Sequence, residues 1–216
     1  MLTPTPRAVI FANGPVEDLP AAARLLRPED TLIAADGGLR YLDQLGRLPA
    51  LLIGDLDSTP PAAVERLSRE GVPIERHPVA KDETDLELAI LRTAADGFLR
   101  ILVIGALGGR LDQTLANLAL LADPRFAALD LVLDDGHEEA FLIRTQAVIT
   151  GALGDLVSLL PVQGEAHGVT TGSLEFPLRA ETLYSYRTRG VSNRMLASTA
   201  YVYLTAGLLL CIHTRE

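Results

Sequence analysis

The chain has 216 residues, 48% of them hydrophobic and 22% charged, a composition that folds rather than one that stays disordered. Its net charge of −9, from 19 Lys plus Arg against 28 Asp plus Glu, argues against broad binding to nucleic acid or to an anionic membrane, since both need a basic face. The single cysteine, Cys211, excludes an intrachain disulfide and a cysteine-based zinc site, and predicts a reducing, cytoplasmic compartment.

Met1-Leu2-Thr3-Pro4-Thr5-Pro6 carries no basic block ahead of an apolar one, so no signal peptide is expected. From residue 8 to about 134, short β-rich apolar runs alternate with helical spacing. Strands are predicted at 8–12, 31–35, 51–53, 74–77, 101–104 and 129–133, with helices at 16–26, 39–45, 61–70, 84–95 and 111–121. Such alternation predicts an α/β domain, residues 1–135, built on a doubly wound parallel sheet whose strands are apolar because both faces are covered. After Gly136 the rhythm changes, and strands are predicted at 140–143, 147–149, 156–160, 169–171, 182–185, 199–204 and 208–212, with no long amphipathic helix. Residues 136–216 are therefore expected to form a smaller, all-β sandwich domain. The longest apolar run, 200–212, is interrupted by Thr205 and falls short of the ~18 residues of a membrane span.

In an open parallel sheet, ligands sit beyond the carboxyl ends of the strands. The strand at 31–35 leads into Asp36-Gly37-Gly38, which serves either a ligand or a helix entry capped by aspartate. The strand at 51–53 leads into Gly54-Asp55-Leu56-Asp57-Ser58. Two carboxylates flanking one apolar residue on a turn can face one cleft and suit a hard cation such as Mg2+; the alternative is a solvated turn with Ser58 capping the next helix. Lys81-Asp82-Glu83-Thr84-Asp85 allows a helix cap at Asp82 or Thr84, or a third acidic contribution to a metal with Lys81 near phosphate. Gly105 to Gln113 is a glycine-rich strand-to-helix turn, where backbone amides can meet phosphate. It lacks the Gly-Lys-Ser/Thr of a P-loop, so Arg110 would supply the cation; otherwise it is a tight turn with a surface arginine. His77, His137, His167 and His213 have no metal-ligand spacing, and Cys211 reads as an inert core residue.

Taken in order, Asp36-Gly-Gly, Gly-Asp-Leu-Asp-Ser, Lys-Asp-Glu-Thr-Asp-Leu-Glu and Gly-Ala-Leu-Gly-Gly-Arg-Leu-Asp-Gln resemble the thiamine pyrophosphokinase (thiamine diphosphokinase) family. The resemblance continues through Ser158-Leu-Leu-Pro161, Gly168-Val-Thr-Thr171, Leu174-Glu-Phe-Pro-Leu178 and Gly190-Val-Ser-Asn193, and so covers nearly the whole chain. It implies a homodimer with active sites between chains, and transfer of a diphosphoryl group from ATP to the hydroxyethyl oxygen of thiamine, giving thiamine diphosphate and AMP. It implies that Asp55, Asp57 and Asp85 are the catalytic and Mg2+-holding residues. ATP would meet Asp36, Gly37, Lys81, Asp82, Thr84, Gly109, Arg110, Asp112 and Gln113, and thiamine would meet Phe176, Ser192 and Asn193. Three positions depart from the family pattern. Leu56 replaces a common Phe, Gln113 stands where many members have His, and Phe176 replaces Tyr or Trp, which leaves stacking without a polar handle. Two other readings share these residues. One is a haloacid-dehalogenase-type phosphatase with Asp55 as nucleophile, which leaves 105–113 and the β-rich half unexplained; the other is a nucleotide-binding module without turnover.

Overall fold

A computed structural model of the chain describes residues 5–216, so Met1 to Pro4, on which most of the signal-peptide expectation rests, lie outside the described residues. Two compact units divide the chain, the first ending at Gly136 and the second running His137–Glu216.

The first unit is a parallel sheet of β1 (Arg7–Phe11), β2 (Thr31–Ala35), β3 (Leu51–Gly54), β4 (Ile74–Arg76), β5 (Arg100–Ile104) and β6 (Asp130–Asp134). Their spatial order is β4-β3-β2-β1-β5-β6, every pair parallel. The order reverses between β1 and β5, the place in such a sheet where a ligand crevice is expected at the carboxyl edge. Burial of Phe11, Ile10, Leu52, Ile53 and Ile104 explains why these strands read as unbroken apolar runs. Between the strands lie α1 (Leu19–Ala23), α2 (Leu39–Gln44), α3 (Pro61–Arg69), α4 (Asp85–Ala95) and α5 (Leu111–Leu120).

The first helix is much shorter than the 16–26 expected. Asp18 caps it, accepting from the Ala21 N–H at 2.8 Å, and Pro20 occupies its first turn. Beyond Ala23 the backbone tightens into i to i+3 bonds, Leu25 to Ala22 and Leu26 to Ala23, so the apolar spacing outlasts the helix. Ser58 does not cap α3; Pro60 holds that position, and the Ser58 hydroxyl instead donates to Asp57 Oδ1 at 2.9 Å.

The second unit holds β7 (Glu138–Ile143), β8 (Gln146–Thr150), β9 (Leu156–Gly172), β10 (Glu181–Leu183), β11 (Asn193–Arg194), β12 (Thr199–Tyr203) and β13 (Ala206–Thr214). The strands expected at 156–160 and 169–171 are one strand of 17 residues. Pro161, Gly164 and Gly168 look like breakers in sequence, but Pro161 keeps its register opposite Leu209 and a bulge follows it. Gln163 and Gly164 take positive φ (59° and 123°), and the register shifts where β13 passes from Ala206 to Leu208. The amino half of β9 pairs with β13, its carboxyl end with β12, and β10 and β11 also join it. Val157, Leu159, Val169, Ala200, Val202 and Leu209 share one core. Among the described residues no helix is long and apolar enough to cross a membrane.

Candidate active site

The carboxyl-end loops of β1, β2, β3 and β5, with the segment before α4, surround a cavity of about 590 Å3. Ala12, Asn13, Gly14 and Pro15 line it, as do Gly105, Ala106 and Gly108 and the acidic residues Asp36, Asp55, Asp57 and Asp85. Glycine is required where the loops touch. The Gly14 N–H donates to Gly105 O at 2.9 Å, and a Cβ on Gly14 would stand 2.4 Å from that oxygen. A Cβ on Gly37 would strike the Asn13 amide at 2.3 Å.

Carboxylate oxygens of Asp36, Asp55 and Asp57 all lie within 4.8 Å of one another. Asp36 is buried, has φ 44°, and accepts from Thr59 Oγ1 at 3.0 Å; it caps no helix. Leu56 also holds a positive φ, 64°, with its side chain buried, and this reversal brings the Asp57 N–H to Asp55 Oδ1 at 3.2 Å. Lys81 lies on the other side of Asp55. Its Nζ donates to Asp55 Oδ2 at 2.8 Å and meets Asp85 Oδ1 at 3.0 Å, while the Asp55 N–H donates to that same Asp85 oxygen at 3.2 Å. The Lys81 hydrogen bond holds the Asp55 carboxyl below its ordinary range, against the opposing effect of burial. Burial would push the Lys81 ammonium down, but Asp55 and Asp85 outweigh it and hold it above its ordinary value. Both groups therefore remain ionised at neutral pH.

The cavity wall includes eight of the expected residues: Asp36, Asp55, Asp57, Lys81, Thr84, Asp85, Arg110 and Gln113. Thr84 is also the cap of α4, its hydroxyl accepting from the Glu87 N–H at 3.1 Å. Gly37, Asp82, Gly109 and Asp112 are not on that wall. Asp36, rather than Asp85, completes the close carboxylate group; Asp85 is drawn to Lys81. Arg110 occupies the cap position of α5 without a side-chain cap, and its exposed guanidinium forks onto Asp112, Nε to Oδ1 at 3.1 Å and Nη2 to Oδ2 at 2.6 Å. Asn117 Nδ2 on Ala106 O and Thr114 Oγ1 on Gly108 O, both at 2.8 Å, tie the glycine-rich turn to its helix.

Sequence reasoning missed the loop after β1. Arg40 Nη2 donates to Asn13 O at 2.8 Å, Gly14 O at 3.0 Å and Tyr41 OH at 2.8 Å, and the Tyr41 hydroxyl donates to Gly14 O at 2.6 Å. The available signal was Asn13-Gly14-Pro15, a turn placed directly at the carboxyl end of a parallel strand. In the second unit, Phe176 is exposed and Asn193 is buried. The Asn193 side chain is bonded to the Phe176 backbone, and the exposed Ser192 donates its N–H to Ser158 Oγ at 3.0 Å.

Residues 22–133 match the family of the thiamin pyrophosphokinase catalytic domain, and residues 144–209 that of the thiamin pyrophosphokinase vitamin B1 binding domain. A thiamine pyrophosphokinase of Bacillus subtilis is 24% identical over 209 residues, covering 96% of this chain and 98% of that protein. Thiamine pyrophosphokinase 1 of Oryza sativa subsp. japonica is 30% identical over 198 residues, covering 79% of this chain and 73% of that protein. Among solved structures, the crystal structure of the Bacillus subtilis thiamine pyrophosphokinase superposes with a TM-score of 0.87 at 23% identity, over 97% of this chain and 99% of that one.

Proposed function

This chain belongs to the thiamine pyrophosphokinase family and transfers a diphosphoryl group from ATP to thiamine, and from that premise we propose that the cavity of the first unit is its ATP and divalent-cation site. The observation that carries this reading is the convergence of Asp36, Asp55 and Asp57 oxygens within 4.8 Å of one another. Three oxygen ligands of this kind suit a hard cation, and Mg2+ is the ion we assign. When bound, such an ion neutralises phosphate oxygens and the charge that builds on them during an in-line displacement. Asp85 joins the site through Lys81, which holds Asp55 ionised and bonds both carboxylates in place. At the amino end of α5 the Gln113 N–H is held by Asp112 Oδ1 at 2.9 Å, a carboxylate that phosphate would displace there, and Arg110 adds a planar fork. In the second unit the exposed ring of Phe176 offers a stacking face for thiamine, with Ser192 nearby in sequence to Asn193.

Right-handed crossovers, applied to the β4-β3-β2-β1-β5-β6 order, favour a doubly wound sheet; β9, shared by two ladders over one core, favours a sandwich in the second unit. The protein is proposed to work in the cytoplasm, in keeping with its lone buried Cys211. A homodimer is also proposed. Exposed Leu111 and Leu115 on α5, and exposed Val148, Tyr201 and Tyr203 on β8 and β12, are apolar surface that a second copy would cover. Light scattering should then give twice the mass of one chain. The reaction is tested by incubation with ATP, Mg2+ and thiamine. AMP and thiamine diphosphate should form in equal amounts, and chelation of the metal should stop both. ADP with thiamine monophosphate would mean transfer of one phosphoryl group, and a covalent phosphate on Asp55 would revive the phosphatase reading.

A further inference from the structure

Asn193 is only 8% exposed, and its side chain is committed to protein. Its Oδ1 accepts from the Phe176 N–H at 3.0 Å and from the Arg194 N–H at 3.0 Å, and its Nδ2 donates to Phe176 O at 2.8 Å. The side-chain amide thus gives Phe176 the donor and acceptor that a neighbouring strand's peptide would give. Beyond it the two segments continue as a short antiparallel match, with the Glu175 N–H on Arg194 O at 2.9 Å and Leu174 opposite Met195.

The sequence around Phe176 explains where its ring goes. Leu174 and Leu178 are buried at 3% and 5% exposure, and the residue midway between them is 67% exposed. Phe176 stands two residues from each, so a regular strand would turn it to their face; instead the chain bends at 175–176, and Glu175, Phe176 and Pro177 are all exposed between two buried anchors. Pro177 fixes its own φ and biases Phe176 to the extended region, so the peptide is held on both sides. Burying a phenyl ring is favourable, yet this one is held in water by hydrogen bonds from a buried amide. Its π face is left free for a planar cation, and the thiazolium of thiamine is one.

We infer that Asn193 is a positioning residue of the thiamine site, acting through the peptide of Phe176 and not by touching thiamine. This rests on the reading of Phe176 as the stacking surface for thiamine. Steady-state kinetics of Phe176→Ala, Asn193→Ala and the double variant test it, with KM measured separately for thiamine and ATP. Phe176→Ala should raise the thiamine KM about tenfold, and Asn193→Ala by a similar factor, with the ATP KM within about twofold of the parent in each. Because Asn193 acts through the ring, adding Asn193→Ala to Phe176→Ala should change the thiamine KM no further. If the two effects multiply, Asn193 contacts thiamine itself and the inference is wrong. If the apparent kcat falls while the thiamine KM stays at the parental value, the loss is of folded enzyme and not of a placed ring, and the inference fails equally; a rise of the ATP KM matching that for thiamine would likewise show that the effect is not confined to the thiamine site. An unchanged thiamine KM in Phe176→Ala would remove the stacking surface on which it rests. Should Asn193→Ala not fold, Asn193→Asp serves in the same cycle. It keeps the acceptor for both N–H groups, loses the donor to Phe176 O, and should give a smaller rise that again vanishes without the ring.

Discussion

Asp36 and Leu56 hold left-handed backbone conformations that cost about 1–3 kcal/mol each, and both stand at the carboxylates they help to gather. Burial of the Leu56 side chain and the Thr59 bond to Asp36 offset that strain. Replacing any of Asp36, Asp55 or Asp57 by Asn should lower turnover by about 10²-fold or more, read as AMP release at saturating Mg2+, with the melting temperature little changed. If Asp36→Asn alone retains parental turnover, the group with Asp36 in it is not the metal site, and Asp85→Asn becomes the decisive variant. Arg110 makes a different prediction, because its fork already fits the two oxygens of Asp112. The same geometry can grip phosphate oxygens, so Arg110→Lys should raise the ATP KM by about tenfold and leave the thiamine KM alone. Equal performance by Lys would show that charge without the fork suffices.

At the scale of strands and loops, Gly54 closes β3 at φ 145°, with Asp36 Cβ 3.0 Å and Asp85 Cγ 3.1 Å from where its own Cβ would be. Gly54→Ala should therefore push two acidic side chains apart. Turnover should fall by about tenfold or more, and the loss should exceed what a global stability change of about 1–3 kcal/mol explains, as circular dichroism at the assay temperature would show. The passages after β2, β3 and β5 were legible because each obeys one local rule: an apolar run, then glycine or aspartate at the carboxyl edge. The acidic residues could be placed on neighbouring loops for the same reason. What could not be read was which of them converge, since that depends on Leu56 reversing the chain and on Lys81 drawing Asp85 aside. Arg40 escaped notice because its work is done on backbone carbonyls, which leave no mark in a sequence. Asn193 was expected to meet thiamine from its motif alone, and its bonds to Phe176 are a tertiary fact.

Across the whole second unit, the fully buried His213 joins distant parts of the chain: Nδ1 lies 2.8 Å from Glu139 Oε1 and Nε2 2.9 Å from Asp155 Oδ2, with Arg215 also on Glu139. The bond to Glu139 raises the pKa of this imidazole above 6.5, burial opposing and Asp155 assisting. A group raised on folding stabilises fully below its unfolded value and loses that contribution as pH climbs through the folded one. Burial alone would raise Asp155, but the Ala152 N–H and His213 outweigh it; being lowered, its contribution is lost on acidification. Urea unfolding followed from pH about 5 to about 10 should show stability falling at the alkaline end, and His213→Gln should flatten that fall. The long strand β9 carries a consequence of another kind. It lends hydrogen bonds to β10, β11, β12 and β13, so β9 cannot itself open without breaking all four ladders. Amide protons across 157–171 should therefore exchange with deuterium in one correlated event, with a single opening free energy on both sides of the bulge at Gln163. Two separate exchange classes would mean that the bulge is a seam, and that a trapped half-open unit could persist during refolding.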